Sequence, residues 1–134
     1  MSTHDVLLWP ADVPRSKSID NPRTFFHLID SQHELTGKLL DFGDALGKRV
    51  ENILITLNHP AGNRDDLGVA VYFEVGERSI CLTCDRFNSQ PANVQAIAHL
   101  MSDLTRSLSF ITRHTAFELL AGFVTPRPTL TEKP

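Results

Sequence analysis

The sequence predicts an α+β fold: a three-stranded antiparallel sheet packed on two long helices, order α-β-β-β-α-α, with an extended N-terminal arm. Three observations predict it. Gly68-Val-Ala-Val-Tyr-Phe73 and Ile80-Cys-Leu-Thr-Cys-Asp-Arg-Phe87 alternate like strands on either side of Gly76, the pattern of a hairpin. Val94, Ile97, Ala98, Met101, Leu104, Leu108 and Ile111 recur at helical spacing. A chain of 134 residues with 41% apolar and 22% charged side chains suits one domain with one core.

The elements follow in order. Residues 1–22 hold Pro10, Pro14 and Pro22, which block regular structure, so an extended arm is expected. Leu7, Leu8 and Trp9 favour packing of that arm on the body. The first helix is expected from Asp20 or Asn21, with Pro22 in its first turn and Gly47 as its stop. Phe25, Ile29, Leu35, Leu39, Phe42 and Leu46 form its apolar stripe, and Gly37 and Gly43 each weaken it by about 1 kcal/mol relative to Ala. Val50–Leu57 reads as a strand, His59–Asp66 as a polar loop, and Gly68–Val75 as the second strand. The chain turns at Gly76 and returns through Ile80, Leu82 and Cys84, alternating with Cys81, Thr83 and Asp85. The long second helix begins between Ser89, a capping residue, and Ala92; a short third helix spans Thr115 to Ala121. The division is thus an arm (1–22), one α+β domain (23–124) and a loose proline-bearing tail (125–134).

Strand parity puts Leu54, Thr56, Ala70, Tyr72, Cys81 and Thr83 on the sheet face away from the helices. This face is neither strongly polar nor strongly apolar, so a cover is expected: the arm, a partner or a second subunit.

Bulk charge narrows the function. A net charge of −3 does not suggest a general nucleic-acid binder. No apolar run approaches the roughly 20 residues of a membrane span, and Met1-Ser-Thr-His-Asp5 lacks the features of a signal peptide. With two cysteines three residues apart there is no disulfide framework, so a cytoplasmic protein with reduced thiols is expected.

Cys81 and Cys84 have C-x-x-C spacing, but residues three apart on a strand point to opposite faces, so they read as structural cysteines and no metal or cofactor is expected. Asp85 and Arg86 follow the apolar run at a strand end. They read either as an anion-binding pair or as an ion pair fastening the strand end to the loop before the second helix; the latter is favoured. Asp65, Asp66 and Glu74, with Asp85 on the next strand, are carboxylates of the kind that hold Mg²⁺ in nucleases, yet the lysine expected after Glu74 is absent. His59, Asn63 and Arg64 share a loop that phosphate could reach, but no glycine-rich phosphate cradle or nucleophile elbow is present. The α-β-β-β-α order is shared with double-stranded RNA-binding domains, whose last helix begins with lysines; here Asn88-Ser-Gln-Pro-Ala-Asn93 has none.

Trp9-Pro10, Pro14-Arg15, Asp66, Gly68-Val-Ala-Val-Tyr-Phe73, Cys84-Asp-Arg86, Asn93, Ala96-Ile-Ala98 and Ala121-Gly-Phe123 together span most of the chain. In these motifs it resembles an uncharacterised bacterial family often found on phages and plasmids, some members of which continue into a C-terminal J domain. The chain stops soon after Phe123, without a J domain or its His-Pro-Asp motif, and Ser109–His114 departs from the arginine- and glycine-bearing version usual there. The resemblance implies the fold and a mobile-element setting, and no settled activity.

The reading that results is a non-catalytic binding or regulatory module whose partner is another protein or a second copy of the chain. Inhibition of a host nuclease complex is one anti-defence form it takes in such a setting. Tyr72, Asp85, Arg86, Asp65, Asp66 and Trp9 are the candidate binding residues, Trp9 being either an interface anchor or a staple for the arm. The alternatives are a metal-dependent nuclease using Asp66, Glu74 and Asp85, and a nucleic-acid-binding protein.

Overall fold

The hairpin forms as its alternation predicts. In the computed structural model, which describes residues 2–58 and 66–121, β3 (Val69–Val75) pairs antiparallel with β4 (Arg78–Cys84), from Val75 opposite Arg78 to Val69 opposite Cys84. Gly76 turns the chain at φ 61°, a left-handed conformation that costs glycine little. The candidates His59, Asn63, Arg64 and Asp65, the end of the Ala121-Gly-Phe123 motif and the tail lie outside the described residues.

The sheet has four strands, not three, and it is mixed. Its order is β1-β2-β3-β4, with β1 (Ser2–His4) running parallel to β2 (Val50–Leu57) at the edge, Ser2 opposite Leu54 and His4 opposite Thr56. A three-residue strand ahead of so many prolines has no periodicity of its own; pairing with β2 creates it. Residues 2–4 of the arm are therefore regular structure, and the rest of the arm is irregular as expected.

The first helix, α1 (Leu28–Leu46), starts a full two turns later than its apolar stripe suggests. Asp20 is held away from helical geometry: its N–H donates to the Arg86 carbonyl (2.8 Å) and its carbonyl accepts from Asn88 N–H (3.0 Å). Phe25 and Ile29, expected in the core, are 82% and 66% exposed. The face that is buried carries Ser31, Gln32, Leu35, Leu39, Phe42, Gly43 and Leu46. Gly43 is explained by close packing, since a Cβ there would lie 2.8 Å from both the Lys48 carbonyl oxygen and Val50 Cγ2.

A bulge in β2 was also not anticipated. Glu51 pairs with Glu74 but Leu54 with Tyr72, so β2 carries one extra residue, with Asn52 at φ 55°. Asparagine tolerates that left-handed conformation better than most residues, and its side-chain amide donates to Glu74 (2.9 Å). The extra residue lets Val50 and Ile53 both reach the helix side, where strict alternation would put one of them opposite.

The α2 helix (Gln90–Ser107) begins as predicted, with Ser89 Oγ accepting from Ala92 N–H (3.3 Å) and Pro91 in the first turn. The α3 helix (Arg113–Ala121) starts two residues earlier than expected. Helices α1, α2 and α3 bury one sheet face around Phe42, Phe73, Ile80, Val94 and Met101. Leu54, Ala70, Tyr72 and Cys81 form a second, smaller cluster on the other face, and Leu7 and Leu8 of the arm pack on it. The cover that strand parity called for is the arm. Among the described residues no helix is long and apolar enough to cross a membrane.

Candidate functional site

Most of the predicted site residues meet along the path of the arm. After β1 the chain crosses the second sheet face, and its backbone polar groups are met by side chains from the sheet. Leu7 N–H donates to Asn58 Oδ1 (2.9 Å), Leu8 N–H to Thr56 Oγ1 (3.1 Å), and the Tyr72 hydroxyl donates to the Leu8 carbonyl (2.5 Å). An extended segment without neighbouring strands needs such partners, because buried backbone groups left unpaired are costly. Burial pushes the Tyr72 phenol up, and pushes the Cys81 thiol beside it up to about 12.

Trp9 then folds its indole back onto its own segment, Nε1–H donating to the Val13 carbonyl (2.9 Å). It acts as a staple for the arm. The Arg15 guanidinium lies over its ring at 4.2 Å, and Gly68 makes room for the pair: a Cβ there would meet Arg15 Nη2 and Trp9 Cζ3 at 3.2 Å.

Arg15 is the centre of the arrangement. Its Nε donates to Asp85 Oδ2 (2.8 Å), and its two terminal nitrogens both donate to Asp66, one of them at 3.1 Å. Asp85, only 8% exposed, also accepts from Ser16 Oγ (2.5 Å) and Ser16 N–H (3.0 Å). Burial alone would push the Asp85 carboxyl up. The Ser16 hydroxyl, the Arg15 guanidinium and the Ser16 N–H outweigh it and hold Asp85 below its usual range. Asp66, opposed by burial and aided by Asp85, raises the Arg15 value, so the guanidinium stays charged.

Asp85 and Arg86 each form an ion pair, but not with the loop before α2. Both hold the N-terminal arm rather than the loop before α2: Asp85 takes Arg15 and Ser16, while Arg86 Nε donates to Asp20 (3.2 Å). The loop before α2 is fixed by Asn93 instead. Fully buried, Asn93 accepts from Phe87 N–H (2.9 Å) and the Cys84 thiol (3.3 Å), and donates to the Leu67 (2.8 Å) and Phe87 (3.0 Å) carbonyls. The two cysteines diverge, Cys81 beneath the arm and Cys84 toward the helices and Asn93.

The three carboxylates of the nuclease reading do not converge. Asp66 and Asp85 share Arg15, but Glu74 lies five residues along β3 from Val69, the partner of Cys84, about 17 Å away at the usual strand rise. Among the described residues no group of three or more His, Cys, Asp and Glu could hold a metal ion.

Arg15, Ser16, Asp20 and Asn93 are the residues that sequence reasoning missed as site partners. A usable signal existed for the first: Arg15 and Lys17 are the arm's only Lys or Arg residues, and the chain's middle offers the acids Asp65, Asp66 and Asp85.

One concave surface lies outside this clasp. A groove of about 800 Å³ runs between residues 20–26 and the N-terminal half of α2, with Arg23, Phe26, Arg86, Phe87, Gln95 and His99 among its walls. Comparison of the chain with protein-family models, curated proteins and solved structures gives no match, so its family is not shown by likeness.

Proposed function

We propose that this protein is a non-catalytic binding module that acts on another protein, in the setting of a bacterial mobile element. One observation carries the reading: the carboxylates best placed for chemistry, Asp66 and Asp85, are taken up by Arg15 and Ser16 in holding the arm. A general base or a metal ligand needs a carboxylate free to receive a proton or a cation, and these two are neutralised by a fixed guanidinium. The mobile-element setting rests on the resemblance, whose residues Trp9, Arg15, Asp66, Gly68, Tyr72 and Asp85 are among those that build the clasp. Such residues carry a shape rather than an activity. Inhibition of a host nuclease complex is the form of binding that this setting favours.

The test has two arms. Labelled DNA and RNA are incubated with the protein across a Mg²⁺ and Mn²⁺ titration, and no cleavage is expected. Cleavage lost in a folded Asp85→Ala chain would establish the enzyme instead. In parallel, affinity capture from a native host is expected to recover a defined protein partner after nuclease treatment. Recovery of nucleic acid alone, with salt-dependent binding, would replace the reading with a nucleic-acid-binding one.

A further inference from the structure

The groove beside the clasp differs in charge from the rest of the chain. The protein carries a net charge of −3, yet this wall presents two arginines, Arg23 and Arg86, against one acid, Asp20. That acid is already engaged by Arg86 Nε at 3.2 Å. The Arg86 side chain is 68% exposed, and Arg23 makes no ion pair among the described residues. The first turn of α2, which ends at this groove, holds no acidic residue, so the positive end of its dipole adds to the same field. Phe26, Phe87, Ala92 and Ala96 add apolar surface to the lining, and the Arg86 guanidinium lies 5.5 Å from the Phe87 ring centre.

From this groove we infer a docking site for an acidic peptide segment of the partner protein, one that sets an Asp or Glu carboxylate on Arg23 and Arg86 and an adjacent large apolar side chain on Phe26 and Phe87. The inference rests on the protein-binding reading above. Two guanidinium forks suit one or two carboxylates, which they bind in paired hydrogen bonds. The aromatic part of the lining gives the neighbouring side chain an apolar seat of the kind that anchors interfaces. A nucleic-acid backbone is the poorer fit, since it demands many phosphate contacts from a chain whose overall charge repels it.

The experiment pans a displayed library of random twelve-residue peptides on the full chain, then measures the enriched peptides by fluorescence anisotropy. Wild type is compared with Arg23→Glu, an exposed change outside the clasp, and with Ala96→Trp, which fills the groove; circular dichroism checks the fold of both. Enriched peptides carrying Asp or Glu next to Phe, Leu or Trp are expected, with binding weakened about tenfold or more by Arg23→Glu. Ala96→Trp, and the peptide's own Glu→Gln change, should weaken it as well. Enrichment of peptides without acids, affinity indifferent to Arg23→Glu, or no enrichment would overturn the docking site. So would a labelled dT20 oligonucleotide binding more tightly than any peptide. A partner protein retained equally by wild type and Arg23→Glu would refute the groove alone, leaving the protein-binding reading intact; a chain that captures only nucleic acid would refute both.

Discussion

Replacing Asp85 with Ala should open the arm while the helix-covered core stays folded. Asp85 accepts one bond from Arg15 (2.8 Å) and two from Ser16 (2.5 and 3.0 Å), and it is buried. Hydrogen bonds to a charged group contribute about 1.5–3 kcal/mol each where both sides are desolvated. Here the donors lie near solvent, the Arg15 side chain being 43% exposed, so released donors recover water and screening lowers the sum. A net loss of about 2 kcal/mol is expected, which raises the open population roughly 30-fold. Trp9 is the sole tryptophan and sits inside the arm, so its emission reports opening directly. Trypsin cleavage after Arg15 and Lys17 gives the open population independently. Both should change in Asp85→Ala while far-ultraviolet circular dichroism does not. Arg15→Gln should cost less in that background than in the wild type, since only its contacts with Asp66 and Trp9 remain to be lost, with a coupling of about 1 kcal/mol or more between the two sites. Unchanged emission and cleavage in Asp85→Ala, or strictly additive single substitutions, would refute the clasp as a unit.

Three further outcomes are expected. A carboxyl with a depressed folded value stabilises the fold above its ordinary range near pH ~4 and loses that contribution as pH falls through the lower folded value; Trp9 emission should therefore shift on acidification before the far-ultraviolet signal does, and a single shared transition would count against it. Gly43→Ala should lower the unfolding midpoint, costing about 1–3 kcal/mol through the 2.8 Å contacts with Lys48 and Val50, whereas Gly37→Ala, with no atom within 4 Å, should stabilise by up to about 1 kcal/mol; equal effects at the two positions in thermal melts would contradict the packing account. Cys81, buried under the arm with its thiol pushed up to about 12, should resist iodoacetamide at pH 8 in the wild type and react faster in Asp85→Ala, as peptide mapping by mass spectrometry would reveal; rapid wild-type labelling would mean that the arm does not cover it.

Features governed by local pattern were legible in the sequence. The β3–β4 hairpin, the Ser89 cap and the α2 stripe each depend on neighbours a few residues away, and each formed where expected, except that α2 ends at Ser107, short of the stripe's Leu108 and Ile111. Strand parity also separated Cys81 from Cys84 and marked the second sheet face as needing a cover. What escaped depends on distant partners. β1 has no periodicity apart from β2, Asn52 flips the parity of β2 through a bulge, and Phe25 and Ile29 read as core positions of the first helix, whereas Asp20 is anchored beside Phe87 and both side chains are exposed. The candidate residues Tyr72, Asp66 and Asp85 all contact the arm, Tyr72 at Leu8 and the two acids at Arg15 and Ser16, partners that no spacing rule connects to them.

The arm's contacts also set a timetable. Leu8 reaches Thr56 across 48 residues and Arg15 reaches Asp85 across 70, so the arm, synthesised before the sheet, finds its place only after β4 has been made. At about 5–20 residues per second, the wait is roughly 3 to 14 seconds. Throughout it Val6, Leu7, Leu8 and Trp9 remain an uncovered apolar run on a nascent chain. The segment that finally seals the sheet is thus, during synthesis, the one most open to chaperones and to the wrong neighbour.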